Sequence, residues 1–289
     1  QKKDNRMAEN QYYCFVAGLP DLFFDSTKLP FTVDEFREML EEVLAPKDKK
    51  LVNKYFLKYD NENLITFLKD KNALLNAKGK ISAEDIKEAI DSIEVDYPIQ
   101  NPDIPPYFED YIRLWLDESA HDENKLWEDL MSEFYMDYGR ESKNKLVSKW
   151  FEFNLNIGNI LAAIYCRKYG LDINSVIVGN NEVARLIREN PNVRDFGLSR
   201  ELEYFDTLQR IAEETDIYER ERKIDRLRWD WLDENTVFDY FNIDFIFAYL
   251  CKLQILERWV SLNAEEGERI FRQLIADLKS EVSVPKEKE

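Results

Sequence analysis

Strong turn formers are scarce in this chain: only 8 glycines and 9 prolines occur in 289 residues. Sandwiches and barrels need a turn signal about every 8–12 residues, so a chain this poor in breaks is not built from many short strands. Between the breaks, apolar residues recur at the three-four spacing of one helix face. After Pro30, Thr32 is placed to cap a helix bearing Phe36, Met39, Leu40, Val43 and Leu44. Pro46 stops it, and a second helix follows with Leu51, Val52, Tyr55 and Phe56 on one side. Ser82 with Asp85 resembles a capping pair ahead of Ile86, Ala89, Ile90 and Ile93. The opening Tyr12 to Pro20 is too short for periodicity to decide between a strand and a helical turn.

Four of the nine prolines fall in residues 97–106, which cannot be regular helix. Beyond them the helical spacing returns at Phe108, Ile112, Trp115 and Leu116, then at Leu126, Trp127, Leu130 and Phe134. The segment Leu146 to Tyr169 contains a nearly all-round apolar run, Ile157 to Tyr165, and belongs at the centre of its bundle. Val176-Ile177-Val178 followed by Gly179-Asn180-Asn181 resembles strand, turn and helix start, and is read as a local excursion in an α protein. Ile217 to Leu232 carries a narrow seam of Ile217, Ile224, Leu227 and Trp231 among charges of both signs, the pattern of an exposed antiparallel hairpin helix. Ile243 to Leu262 is a second all-round apolar helix, and Ile270, Phe271, Leu274, Ile275 and Leu278 form a last amphipathic face. The expected fold is all-α: consecutive helix bundles over 1–96, 107–198 and 199–289, a Pro-rich linker at 97–106, and at most a minor strand element.

The 44% hydrophobic fraction suffices for a buried core. Charge narrows the partners. Lys+Arg total 40 against Asp+Glu 58, a formal net charge of −18, the opposite of the dense positive field that phosphate backbones require, so nucleic acid is not expected as a partner. Cys14, Cys166 and Cys251 are far apart and form no disulfide framework or zinc knuckle. The most apolar helix carries Asp244, Lys252, Glu257 and Arg258, so it is not expected to span a bilayer. Pro20 and Asp21 interrupt the early apolar stretch, which does not read as a secretory signal. The chain is therefore expected in the cytoplasm or peripherally at the inner face of the cell membrane, reaching membrane only through partner proteins.

Catalytic chemistry has little to work with. The single histidine, His121, lies in an acidic turn, and no Gly-x-Ser-x-Gly elbow, phosphate-cradling glycine loop or dinucleotide fingerprint is present. Glu41-Glu42, Glu213-Glu214 and Glu265-Glu266 read as solvated helix faces or helix starts. No catalytic, cofactor-binding or metal-binding residue is assigned, and no cofactor and no enzymatic activity are expected.

A polar cluster recurs at intervals of nearly a hundred residues. Asp60-Asn61-Glu62-Asn63 reads as opening one buried helix, and Glu152 through Asn154, Asn156 and Asn159 as opening another. A weaker third case is Tyr249-Leu250 with Glu257-Arg258. Asparagine inside an apolar helix must find hydrogen-bond partners and so fixes which neighbouring helix packs there. The intervals suit a pseudo-threefold repeat of bundles.

The run Glu152 to Leu171, with Asn159-Ile160-Leu161, Arg167-Lys168 and Gly170-Leu171, resembles the repeated signature of the central-stalk C subunit of V-type and A-type rotary ATPases, the counterpart of the d subunit in eukaryotic proton pumps. Ala248-Tyr249-Leu250 leading to Glu257-Arg258 is similar to its last repeat, although Tyr165 stands where the pattern has Arg and Trp259-Val260-Ser261 where it has Asn-Leu-Arg. The opening Tyr12-Tyr13 through Asp21-Leu22 resembles an uncharacterised bacterial family that takes the place of this stalk component in some V-type ATPases. The resemblance implies a funnel of three helix bundles that seats the central shaft of the soluble motor and rests on the membrane rotor ring. Such a socket transmits torque and does no chemistry, and the shaft and ring are its implied partners. The rival readings are a helical adaptor or scaffold unrelated to ATPases, and a carboxylate-based hydrolase, which needs two acids converging in one cleft.

Overall fold

A computed structural model describes residues 12–117, 119, 125–262, 272, 274 and 275. These form helices α1 (within residues 12–17), α2 (Val33–Val43), α3 (Pro46–Lys69), α4 (Ala83–Glu94), α5 (Tyr107–Leu116), α6 (Trp127–Arg140), α7 (Lys145–Tyr169), α8 (Glu182–Glu189), α9 (Phe205–Ala212), α10 (Ile217–Thr236) and α11 (Ile243–Ser261). No strand occurs among the described residues, so the fold is all-α. His121 lies outside them, as do Glu265, Glu266, Ile270, Phe271 and Leu278.

The chain divides into two compact units, one of residues 46–212 and one combining residues 1–45 with 213–289. The division differs from the consecutive bundles read in the sequence, because α2 packs against α11, at the other end of the chain. The Pro-rich residues 97–106 are irregular, as expected, but lie inside the first of these units and join α4 to α5, which pack together.

Within residues 46–212, α6 packs against both α3 and α7. Gly139 sets the closeness of the α6–α7 contact: a Cβ there would lie 2.0 Å from the Phe151 ring, so the ring rests on bare backbone. Leu64, Ile86, Phe108, Tyr111, Ile112 and Met131 bring α3, α4, α5 and α6 into one core. The apolar run of α7 is buried on one side, with Phe153, Leu155, Ile157, Ile160 and Ala163 inside, while Gly158 is exposed and Leu161, Ala162, Ile164 and Tyr165 are half-buried. Gly170 ends the helix in the left-handed conformation (φ 68°).

In the other unit, α10 and α11 form an antiparallel hairpin. α11 is buried without a break from Ile246 through Cys251. The buried face of α10 is Ile224, Asp225, Trp229, Leu232 and Thr236. This corrects the expected seam, since Ile217, Leu227 and Trp231 are only partly buried. Trp229 rather than Trp231 turns inward, meeting Phe24 edge-on at 5.5 Å between ring centroids.

Candidate functional site

The recurring polar clusters do not open helices. Asp60, Asn61 and Asn63 sit inside the 24-residue α3, and Asn156 and Asn159 inside the 25-residue α7. Buried polar side chains are tolerated in a helix interior when a partner elsewhere completes their hydrogen bonds, and here the partner is the loop that follows each helix. Asn159 Nδ2 donates to the Val178 carbonyl (2.8 Å) and its Oδ1 accepts from the Val178 amide (2.9 Å). Asn63 grips Asn76 in the same way: Nδ2 donates to the carbonyl (3.0 Å) and Oδ1 accepts the amide (2.7 Å). Both asparagines thus pin a returning loop, where an interhelical contact was expected. The carboxamide is the side-chain group that presents one donor and one acceptor side by side, as backbone does in a sheet.

Three residues before each asparagine, a second buried polar group reaches the start of the next helix. Asp60 Oδ1 accepts from the amides of Lys80 (2.6 Å) and Ile81 (2.9 Å). Those residues directly precede Ser82, the N-cap of α4. Asn156 Oδ1 accepts from the side chain of Asn181 (2.6 Å), the N-cap of α8. A tyrosine completes each arrangement. Tyr107 donates its hydroxyl hydrogen to Asn61 (2.6 Å), and Asn156 Nδ2 donates to the Tyr204 hydroxyl (3.1 Å). Burial and neighbouring charge raise the Tyr107 hydroxyl well above its usual value, and burial raises that of Tyr204, so both remain neutral hydrogen-bonding groups.

Val176-Ile177-Val178, strand-like by composition, is loop. Besides the Asn159 grip, Arg188 donates to the carbonyls of Ile177 and Gly179, each at 2.8 Å. Its carbonyls are taken by side chains, leaving no ladder to form. Arg167 works similarly after α8. It donates to the carbonyls of Pro191, Val193 and Arg194 and stacks on the Phe196 ring at 3.9 Å.

A looser counterpart appears a third time, with its parts at opposite chain ends and with Glu257 and Tyr249 in place of the buried asparagines. Phe31-Thr32-Val33-Asp34-Glu35-Phe36 matches Ile81-Ser82-Ala83-Glu84-Asp85-Ile86 position by position: apolar, cap, small or apolar, acid, acid, buried apolar. Both sequences form reciprocal capping boxes, Thr32 with Glu35 and Ser82 with Asp85. As α4 packs on α3 and α8 on α7, so α2 packs on α11. Glu257 Oε1 on α11 accepts from the amide of Val33, the first residue of α2 (2.8 Å). Tyr249, also on α11, donates to the Pro20 carbonyl (2.9 Å), fastening the loop ahead of α2.

Arg258 turns to α10, where it meets Asp225 (3.1 Å) and Glu221 (2.9 Å). Asp225 is 2% exposed and also accepts from Arg228 (2.8 Å) and the Trp259 indole (3.0 Å). This buried carboxylate, missed in the sequence among the many charges of α10, ties the hairpin together. No group of three or more His, Cys, Asp or Glu among the described residues could hold a metal ion, and no helix among them is long and apolar enough to cross a membrane. Cys14 is exposed, Cys166 and Cys251 are buried, and none of the three is in a disulfide.

No curated protein and no solved structure matches the chain. Residues 9–282 match one family over nearly their whole length, and the chain belongs to it: the family described as protein of unknown function, DUF2764.

Proposed function

We propose that this chain is a non-catalytic rotor-coupling component of a V/A-type ATPase, a socket that links the shaft of the soluble motor to the membrane rotor ring. The observation that carries the reading is the threefold use of one element. A long helix bears polar side chains that hold the loop beside a capped short helix: buried asparagines on α3 and α7, and the half-buried Glu257 with Tyr249 on α11. Repetition at this spacing is what the resemblance to the rotary-ATPase socket leads one to expect. Pinned loops also suit a part that must carry torque, because slack connections would absorb it. Asp60 and Asp225 support a structural role, being engaged with backbone amides and with Arg228, Arg258 and Trp259. The −18 charge favours encounter with partners that present basic surfaces.

Mixing the purified chain with the coiled-coil shaft protein of the cognate ATPase, without nucleotide, tests the reading. A socket must hold the shaft in every catalytic state, so the two should co-elute from a sizing column at micromolar concentration. The contact should bury on the order of 1,600 Å². Separate elution of two folded proteins would favour a helical adaptor unrelated to ATPases.

A further inference from the structure

The connection between α10 and α11 exposes side chains that the fold does not use. Val237 is 52% exposed, Phe238 88%, Tyr240 61% and Phe241 42%. Tyr13 of α1 (55% exposed) extends the patch, its ring 4.4 Å from that of Phe241. The comparable connection between α6 and α7 is Glu141-Ser142-Lys143-Asn144, wholly polar, so a hairpin of this kind needs no aromatic tip. Scattered exposed apolar residues call for no explanation, whereas a contiguous aromatic patch marks an interaction surface.

Its electrostatics are one-sided. Between Arg228 and Lys252 the chain has Asp230, Asp233, Glu234, Asp239 and Asp244 and no basic residue. Asp233 and Glu234 occupy the last turn of α10, where the helix dipole disfavours negative charge. Asp233 pairs with Lys252, Asp239 accepts from the Asn242 side chain (2.6 Å), and Asp244 sits in the first turn of α11, where the dipole favours an acid. Local contacts account for these three acids, but not for Glu234 or for the exposed aromatic side chains. A partner surface that is apolar and basic accounts for the aromatic side chains and for the net acidic excess around them. An anionic lipid surface would be repelled by the same acids.

Membrane proteins with helical spans concentrate Lys and Arg in their cytoplasmic loops. On the rotor-coupling reading, on which this inference rests, we propose that the α10–α11 tip with Tyr13 is the knob that docks on the basic cytoplasmic loops of the rotor ring. The aromatic side chains supply the buried contact, and Glu234 and Asp239 steer the encounter.

The test uses the full chain and the detergent-solubilised ring, with the shaft protein as a separate arm. The wild-type chain should bind both. Phe238→Ser with Tyr240→Ser should weaken ring binding by about tenfold or more, the loss typical of central aromatic anchors, and leave shaft binding unchanged. Glu234→Gln with Asp239→Asn should slow association with the ring and flatten its salt dependence. All four positions lie outside the core, and a thermal melt of each variant confirms folding. Wild-type ring affinity in both double variants overturns the knob while the socket reading stands. Failure of the wild-type chain to bind either ring or shaft overturns both. Vesicles of mixed zwitterionic and anionic phospholipid and a concentration series of the chain alone complete the design. Lipid binding or self-association that the Phe238/Tyr240 variant abolishes, with ring binding unaffected, also overturns the proposal.

Discussion

Replacing Asn159 with Leu removes the loop grip while nearly conserving side-chain volume. Asn159 is 2% exposed, and both of its amide functions are spent on the backbone of Val178. Leu at this position leaves the Val178 amide and carbonyl without their partner. An orphaned buried polar group costs about 1–3 kcal/mol. The loop is only partly buried and can relax toward water, which places the expected total for the two groups at about 2–4 kcal/mol. For a domain of this size each kcal/mol lowers Tm by about 2–4 °C, so a fall of roughly 4–16 °C is expected. Thermal and urea melts give the size of the loss, and hydrogen exchange gives its place: amides of residues 176–181 should exchange much faster, those of α3 and α4 should not. The neighbouring Gly158→Ala is the control, since a Cβ there meets nothing within 4 Å. A loss below about 1 kcal/mol, or unchanged exchange at 176–181, would refute the view that Asn159 holds the loop.

Gly79→Ala should destabilise by about 1–3 kcal/mol, because its Cβ would lie 2.3 Å from Asn63 Nδ2 and 2.9 Å from Asp60 Oδ1. Gly158→Ala, in the interior of α7, should instead stabilise by about 0.5–1 kcal/mol, and denaturant titration of the pair checks both signs. Asp225→Ala should cost about 2–4 kcal/mol in a urea melt, by leaving the Trp259 indole without its acceptor and removing the buried carboxylate that Arg228 and Arg258 share. The capping boxes predict an acid-side effect. The side-chain and backbone hydrogen bonds from Ser82 hold Asp85 below the usual carboxylate range, and the backbone and side-chain bonds from Thr32 do the same for Glu35. Folded values below the unfolded ones mean that this contribution is complete above about pH 5 and is lost as pH falls through the lowered values. Carboxyl NMR titration should place the Asp85 midpoint below that of free aspartate, and Ser82→Ala should raise it; an unmoved midpoint would contradict the assignment.

The capped helices were legible because a capping box is local: Thr32 with Glu35 and Ser82 with Asp85 are spelled out within four residues. The central burial of α7 and α11 was also legible, since their longest apolar runs are too wide to face water. The clusters at Asp60–Asn63 and Asn156–Asn159 stood out as polar groups among apolar ones, but their partners could not be read. Asn76, Ile81 and Val178 return by loop paths that periodicity does not encode. Reading these groups as helix starts followed from the usual competition of Asn and Asp with helical backbone, which a tertiary partner removes. Val176–Val178 looked like strand because β-branched residues favour extended backbone, yet Asn159 and Arg188 take the groups that a neighbouring strand would need. On α10, the choice between Trp229 and Trp231 was decided by Phe24, more than two hundred residues away. The pairing of α2 with α11 was hidden for the same reason, although the likeness of residues 31–36 to 81–86 was a usable signal.

Coupling is tested most directly by reconstituting the cognate ATPase in vesicles with and without this chain, recording ATP hydrolysis and ion transport together. A non-catalytic socket predicts that hydrolysis by the soluble motor persists without the chain, that ion transport is lost, and that adding the chain back restores transport in proportion to its occupancy. Ion transport of full strength in its absence, or loss of hydrolysis itself, would contradict the assignment.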